Sequence, residues 1–218
     1  MYFSHHRNIA FGTARPARPG EPAGAPLATV DERFDYVHAP TAVHEGGFFD
    51  DPKAGATQSG LSQDFWDMAR RKRPAYSLLP ARVTGLDAAT VRRILRAEFY
   101  DHPGIDALAG IGNLLYTAPH LVQQVYDTAV NSGQPEAMRL LRESVAAIGK
   151  PASLPAWQRI DKRAIDDISR ILAAGRIVAL NNDLVERRLA WLRSLPDAGT
   201  YPGWIRRAES YRITGARP

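Results

Sequence analysis

The sequence predicts a mainly α fold with one small β element near its N-terminal end. Three observations carry that reading. Apolar residues recur at the spacing of a helix face, most clearly in Leu121, Val122, Val125, Tyr126, Ala129 and Val130. Helix start and stop signals bracket such runs: Asp87, Pro119 and Pro135 at beginnings, Gly133 at an end. Residues 46–62 break the pattern with clustered glycines and short polar stretches.

In order along the chain, residues 1–28 contain ARPARPGEPAGAP, which has little to bury and reads as a flexible leader. Thr29 and Glu32 then form a capping box. A helix follows through Tyr36 and Val37, and Pro40 is expected to interrupt it or to begin a second short helix. Glu45 ends the segment. Turns and a short hairpin are expected over 46–62, with Gly46, Gly47, Gly55 and Gly60 as punctuation. A short helix should cover 63–72. Asp87 caps another that carries Val91, Ile94, Leu95 and Phe99 on one face. AGIGNLLYTAPH, from Ala109 to His120, reads as a long loop. Pro119 opens a helix that Gly133 stops, and Pro135 starts the next, burying Leu140, Leu141, Val145 and Ile148. Two further helices are expected over 161–174 and 177–194, and YPGWIRRAESYR closes the chain.

Composition excludes several functional classes. With 218 residues and 44 % hydrophobic content, the chain can build one large core. No apolar run approaches the roughly 20 residues that span a bilayer, so stable membrane insertion is not expected. Nor does the N-terminus show a secretory signal. Cysteine is absent, which removes disulfides and thiolate chemistry. His5 and His6 lack the further ligands a metal site needs, so no metal is expected. The net charge of +5 favours polyanionic partners such as a cell wall bearing carboxylates and phosphates.

One carboxylate stands out. Glu45 falls where a helix stops, followed by two glycines and two aromatics. A helix C-terminus carries roughly half a negative charge, so a carboxyl there is expected to be harder to ionise. Cover by Phe48 and Phe49 would act the same way. A carboxyl that keeps its proton near neutral pH suits protonation of a glycosidic oxygen. The plainer alternative is a surface residue before a helix-stopping turn.

The stretch VHEGGFFDDPKAGATQSGLS resembles the opening motif of glycoside hydrolase family 108, the bacterial and phage N-acetylmuramidases. That motif is a glutamate, two glycines, an aromatic, "DP", a glycine-containing turn, a threonine and "GI". Its counterparts here are Glu45, Gly46, Gly47, Phe48, Asp51, Pro52, Thr57, Gly60 and Leu61. VYDTAVNSGQPEAMRLLRES, from Val125 to Ser144, is similar to the family's "DxAVNSG" helix, and GWIRR, from Gly203 to Arg207, to its closing "GW–x–x–R".

The resemblance implies a lysozyme-like fold with a small β-hairpin after the catalytic glutamate. It divides the chain into a leader at 1–28, a catalytic region at 29–130, a helical peptidoglycan-binding-like region at 131–212 and a tail at 213–218. It implies cleavage of the β-1,4 bond between N-acetylmuramic acid and N-acetylglucosamine, with Glu45 as general acid and no cofactor. The implied partner is the peptidoglycan glycan strand, not nucleic acid. The usual second acid after "DP" is replaced by KAGA, so a second carboxylate would be Asp51 or Asp50. Thr57 and Gln58 are placed to hold water or substrate. Asn131 either lines the cleft or ends its helix. The second region lacks its usual "DG–x–x–G", which weakens the expectation of independent wall binding.

Two alternatives stay open: a lytic transglycosylase on the same fold, and an inactive wall-binding or secretion-accessory protein. Lacking a signal peptide, the protein is expected to be made in the cytoplasm and to act on the wall after release through a holin or a secretion system.

Overall fold

The computed structural model describes residues 29–45, 48–51, 55–112, 114–150, 157–196, 199 and 202–214, with backbone alone at 48–51 and 55–56. The leader lies outside the described residues.

Helix α1 spans Val30–Glu45. Its capping box is formed: Thr29 Oγ1 accepts from the Glu32 N–H at 3.1 Å, and the Glu32 carboxylate accepts from the Thr29 N–H at 3.1 Å. Pro40 neither breaks this helix nor starts another, contrary to the sequence expectation. Proline removes the N–H that would serve the carbonyl of Tyr36. The side-chain amide of Gln123, on a later helix, donates to that carbonyl instead, at 3.3 Å. A tertiary contact thus repairs the local defect, and the helix runs on to deliver Glu45 at its last position.

Three short strands follow: β1 (Phe48–Asp51), β2 (Gly55–Gln58) and β3 (Leu61–Ser62), antiparallel in that order. The expected hairpin is present, extended by a third strand. Thr57 pairs with Phe49 on one side and Ser62 on the other. Ser59 and Gly60 form the two-residue turn between β2 and β3 with φ of +48° and +89°. Positive φ at both central positions is the pattern that matches strand twist in a tight hairpin.

Ser62 then caps α2 (Gln63–Lys72), accepting from the Phe65 N–H at 3.3 Å. Trp66 is fully buried and donates from its indole to the carbonyl of Pro80 at 2.9 Å. Helix α3 (Ala88–Arg96) is capped by Asp87 through the Thr90 N–H at 2.7 Å. It continues as a π-helical turn, Ala97–Asp101, that buries Phe99 and Tyr100. The stretch read as a loop from Ala109 holds α5 (Leu114–Thr117), after the short α4 (Ile105–Ala109). Leu114, Leu115 and Ala118 are buried, so core packing overrides the loop-like glycines there.

Helix α6 (Pro119–Ser132) is the centre of the molecule. It packs against α1, α4, α5, α7 (Gln134–Gly149) and α9 (Ile177–Ser194). Surrounded in this way, it buries residues on every face, Gln123, Gln124, Asp127 and Thr128 among them. Gly133 stops it at φ +88°. Asp161 caps α8 (Lys162–Ala173), accepting from the Ala164 N–H at 3.0 Å. The last helix, α10 (Pro202–Glu209), packs against α9.

The core is continuous from Phe34 to Leu184. A smaller cluster of Val185, Leu189, Leu192, Trp204, Ala208 and Tyr211 lies between α9 and the chain's end. The fold is mainly α, as the periodicity predicts, and helices on both sides of residue 130 share one core. No described helix is long and apolar enough to cross a membrane.

Candidate active site

Glu45 is the last residue of α1, and its side chain is 6 % exposed. Two neighbours fix its surroundings. Gly60 lies against it: a Cβ on Gly60 would stand 2.9 Å from Glu45 Cγ, 3.2 Å from Cδ and 3.3 Å from Oε2. The β2–β3 turn therefore closes directly over the carboxyl, at a φ and a spacing that only glycine accommodates. The second neighbour is a cation. Glu45 Oε1 is 2.6 Å from Nη2 of Arg207 on α10.

Arg207 is 1 % exposed and bridges two acids. Its Nε donates to Asp127 Oδ1 and Oδ2 at 3.0 and 3.1 Å, and its Nη2 donates to Oδ1 at 2.6 Å. Asp127, on α6, is fully buried. It also accepts from Arg188 Nη2 of α9 at 2.6 Å and from Thr41 Oγ1 of α1 at 2.9 Å. Four helices meet at this network, which balances two carboxylates with two guanidiniums. Such balance is required, because an unpaired buried charge costs several kcal/mol.

Burial alone would raise the pKa of Asp127, but Arg207 and Arg188 outweigh it and hold the carboxyl well below the usual range. Arg207 is held well above its ordinary value in spite of burial, by Asp127 and then Glu45. The Tyr211 phenol is raised well above its usual value, chiefly by burial, and its ring lies 5.7 Å beneath the Arg188 guanidinium.

The other predicted site residues fall as follows. Phe48 and Phe49, the expected cover for Glu45, have side chains outside the described residues. Asp50 and Asp51 lie on β1 opposite Ala56 and Gly55, and their side chains too are outside the described residues. Thr57 is 6 % exposed, and its hydroxyl has no hydrogen-bond partner among the described residues. Gln58 ends β2 and is half-buried. Asn131 donates its side-chain amide to the backbone carbonyl of Asp127 at 2.7 Å, one turn back on α6.

Sequence reasoning gave no role to Thr41, Asp127, Arg188 or Arg207, although the family-like stretches VYDTAVNSG and GWIRR contain Asp127 and Arg207. A signal existed for three of them. Arg188 sits in the apolar stripe of Leu184, Val185, Leu189 and Leu192, and Arg207 falls between Trp204, Ala208 and Tyr211 on its face. Asp127 lies inside a helix that is otherwise apolar on its buried sides. A charge at a core position asks for a buried partner.

No curated protein matches the chain. Residues 39–133 match the family model described as Glycosyl hydrolase 108. The match begins within α1 and ends at the glycine that stops α6. It thus contains Glu45, Thr57, Gly60 and Asp127 and leaves Arg188 and Arg207 outside. A carboxyl set at a helix end beneath a glycine turn thus lies inside the segment, residues 39–133, that is similar to the Glycosyl hydrolase 108 family.

Proposed function

We propose that the protein is a peptidoglycan hydrolase, an N-acetylmuramidase that cleaves the β-1,4 bond between N-acetylmuramic acid and N-acetylglucosamine, with Glu45 as general acid. The observation that carries this reading is the placing of Glu45. It is a buried carboxyl at the end of α1, under the glycine turn of a small sheet, within the segment that matches the glycoside hydrolase family.

In the proposed step, the Glu45 carboxyl gives its proton to the glycosidic oxygen as the C1–O bond breaks. Positive charge develops at C1 and the ring oxygen, and water adds to C1, losing its proton to a base. Asp51 or Asp50 on β1 is proposed as that base or as the group that steadies the developing charge. Their strand runs beside the one that carries Thr57. Thr57 supports the reading independently. Leaving a buried hydroxyl unsatisfied costs about 1–3 kcal/mol, and a bound water or sugar hydroxyl would satisfy it. Gln58, next on the strand, and Asn131, at the end of α6, are proposed to contact the glycan. The protein would act on the wall after release through a holin or a secretion system.

Digestion of purified sacculi by wild type and Glu45→Gln, with product masses read out, tests the proposal. Loss of a general acid typically costs on the order of 10²–10⁴-fold in rate. Substantial lysis by Glu45→Gln sinks the assignment. Wild-type products lighter by one water, carrying an anhydro sugar, would replace hydrolysis by a lytic transglycosylase reaction.

A further inference from the structure

The residue nearest in charge to Glu45 comes from beyond the family-matched segment. Arg207 sits on α10, near the end of the chain, yet its guanidinium reaches the carboxyl that the proposed reaction uses. Its placement is not left to Arg207 alone. Asp127 grips it through both Nε and Nη2, and Asp127 is itself held by Arg188 from α9 and Thr41 from α1. The fork geometry of guanidinium suits this: one edge meets the Asp127 carboxylate in two places, and Nη2 still stands in ion-pair contact with Glu45 Oε1 at 2.6 Å.

Glu45 is a flexible side chain at a helix end, where the backbone constrains it least. On one side the Cα of Gly60 blocks it, and on the other Arg207 Nη2 holds Oε1. Tyr126 of α6 is near enough to feel the same carboxyl's charge.

We propose that Arg207, clamped by Asp127, is the positioning residue for Glu45, which makes α10 a part of the active site. The proposal rests on the reading of Glu45 as the acid. It differs from a structural role in its kinetic signature, because misplacing the acid lowers kcat while leaving glycan binding intact.

The experiment measures kcat and KM on soluble, uncross-linked glycan strands for wild type, Glu45→Gln, Arg207→Met and Arg207→Lys, with circular dichroism melts of each. Arg207→Met should lower kcat about 10²-fold, the scale of a misplaced reacting group, and leave KM nearly unchanged. Arg207→Lys keeps a cation against Asp127, so it guards against the methionine variant failing to fold. Lysine lacks the fork, so this variant should retain the melting transition and lose kcat about tenfold. A wild-type kcat in either folded variant overturns the proposal. So does a loss that appears in KM, or one that follows the melting temperature and vanishes on cooling. If Glu45→Gln remains active, the acid assignment itself has failed, whatever the Arg207 variants do.

Discussion

Gly60→Ala separates the site's geometry from the stability of the fold. Two effects act at this residue. Its φ of +89° is strained for any residue with a side chain, at a cost of about 1–3 kcal/mol. In addition, the new methyl would lie 2.9 Å from Glu45 Cγ, where ordinary contact begins at 3.4 Å. Either the turn or the glutamate must therefore yield by about half an ångström. The turn is tied into β2 and β3, so the carboxyl moves. A misplacement of 1 Å in a reacting group can cost about 10²-fold, so half of that should cost on the order of tenfold. Gly175→Ala is the control. Gly175 has φ +69° and nothing within 4 Å of its would-be Cβ, so it carries the backbone strain without the crowding. Each variant should melt lower, by about 2–12 °C for 1–3 kcal/mol in a chain of this size. Only Gly60→Ala should lose sacculus digestion beyond that, measured as turbidity loss well below both melting temperatures. Wild-type digestion by folded Gly60→Ala, or an equal loss in Gly175→Ala, would refute the reasoning.

Two further outcomes follow from the charge distribution. His38 stacks on Phe34, its Nδ1 lies 3.0 Å from the Tyr126 hydroxyl, and burial, with a smaller push from Arg92, lowers its pKa from 6.5 to about 4. The unfolded chain therefore takes up this proton first as pH falls: stability should be full above pH 6.5, decline between 6.5 and 4, and level off below, losing at most about 3 kcal/mol. Thermal melts across that window should show the decline in wild type and a smaller one in His38→Gln; equal slopes would exclude His38 as the source. The net charge of +5 leads us to expect that turnover on intact sacculi falls with salt, as screening tightens from about 10 Å at 0.1 M to about 3 Å at 1 M. A short neutral oligosaccharide at the same pH should be far less affected; parallel losses on both substrates would assign the salt effect to the fold or the site.

Where an element rests on local chemistry, the sequence was sufficient. The capping box at Thr29 and Glu32, the cap at Asp87 and the stop at Gly133 each depend on residues within a few positions of one another. Helix ends fell accordingly, Glu45 among them. Pro40 shows where this reasoning stops, because its missing donor is offset by Gln123, more than 80 residues away. The short helix at Leu114 was hidden by its glycine-rich surroundings, and only the burial of Leu114 and Leu115 against α6 explains it. At the site, local signals found the carboxyl and the glycine turn but not what holds them. Thr41, Asp127, Arg188 and Arg207 converge from four helices, and no window along the chain contains more than two of them.

That convergence bears on what the family-matched segment can do. Residues 39–133 hold Glu45, Gly60 and Asp127, which would suffice if the site were built from local parts. They are not arranged that way. Asp127 is fully buried, and both guanidiniums that neutralise it arrive from α9 and α10. Removing one partner of a buried pair typically costs about 3–5 kcal/mol, because the remaining charge has no water to turn to. Losing both would leave a carboxylate stranded in the centre of the molecule. Helix α6 adds to the argument, since α7 and α9 cover faces that would otherwise be apolar and open. The helices after Gly133 thus complete the core and supply the cation that fixes Glu45. In this chain the charge partners of Asp127 and Glu45 come from helices beyond the segment that the family model matches.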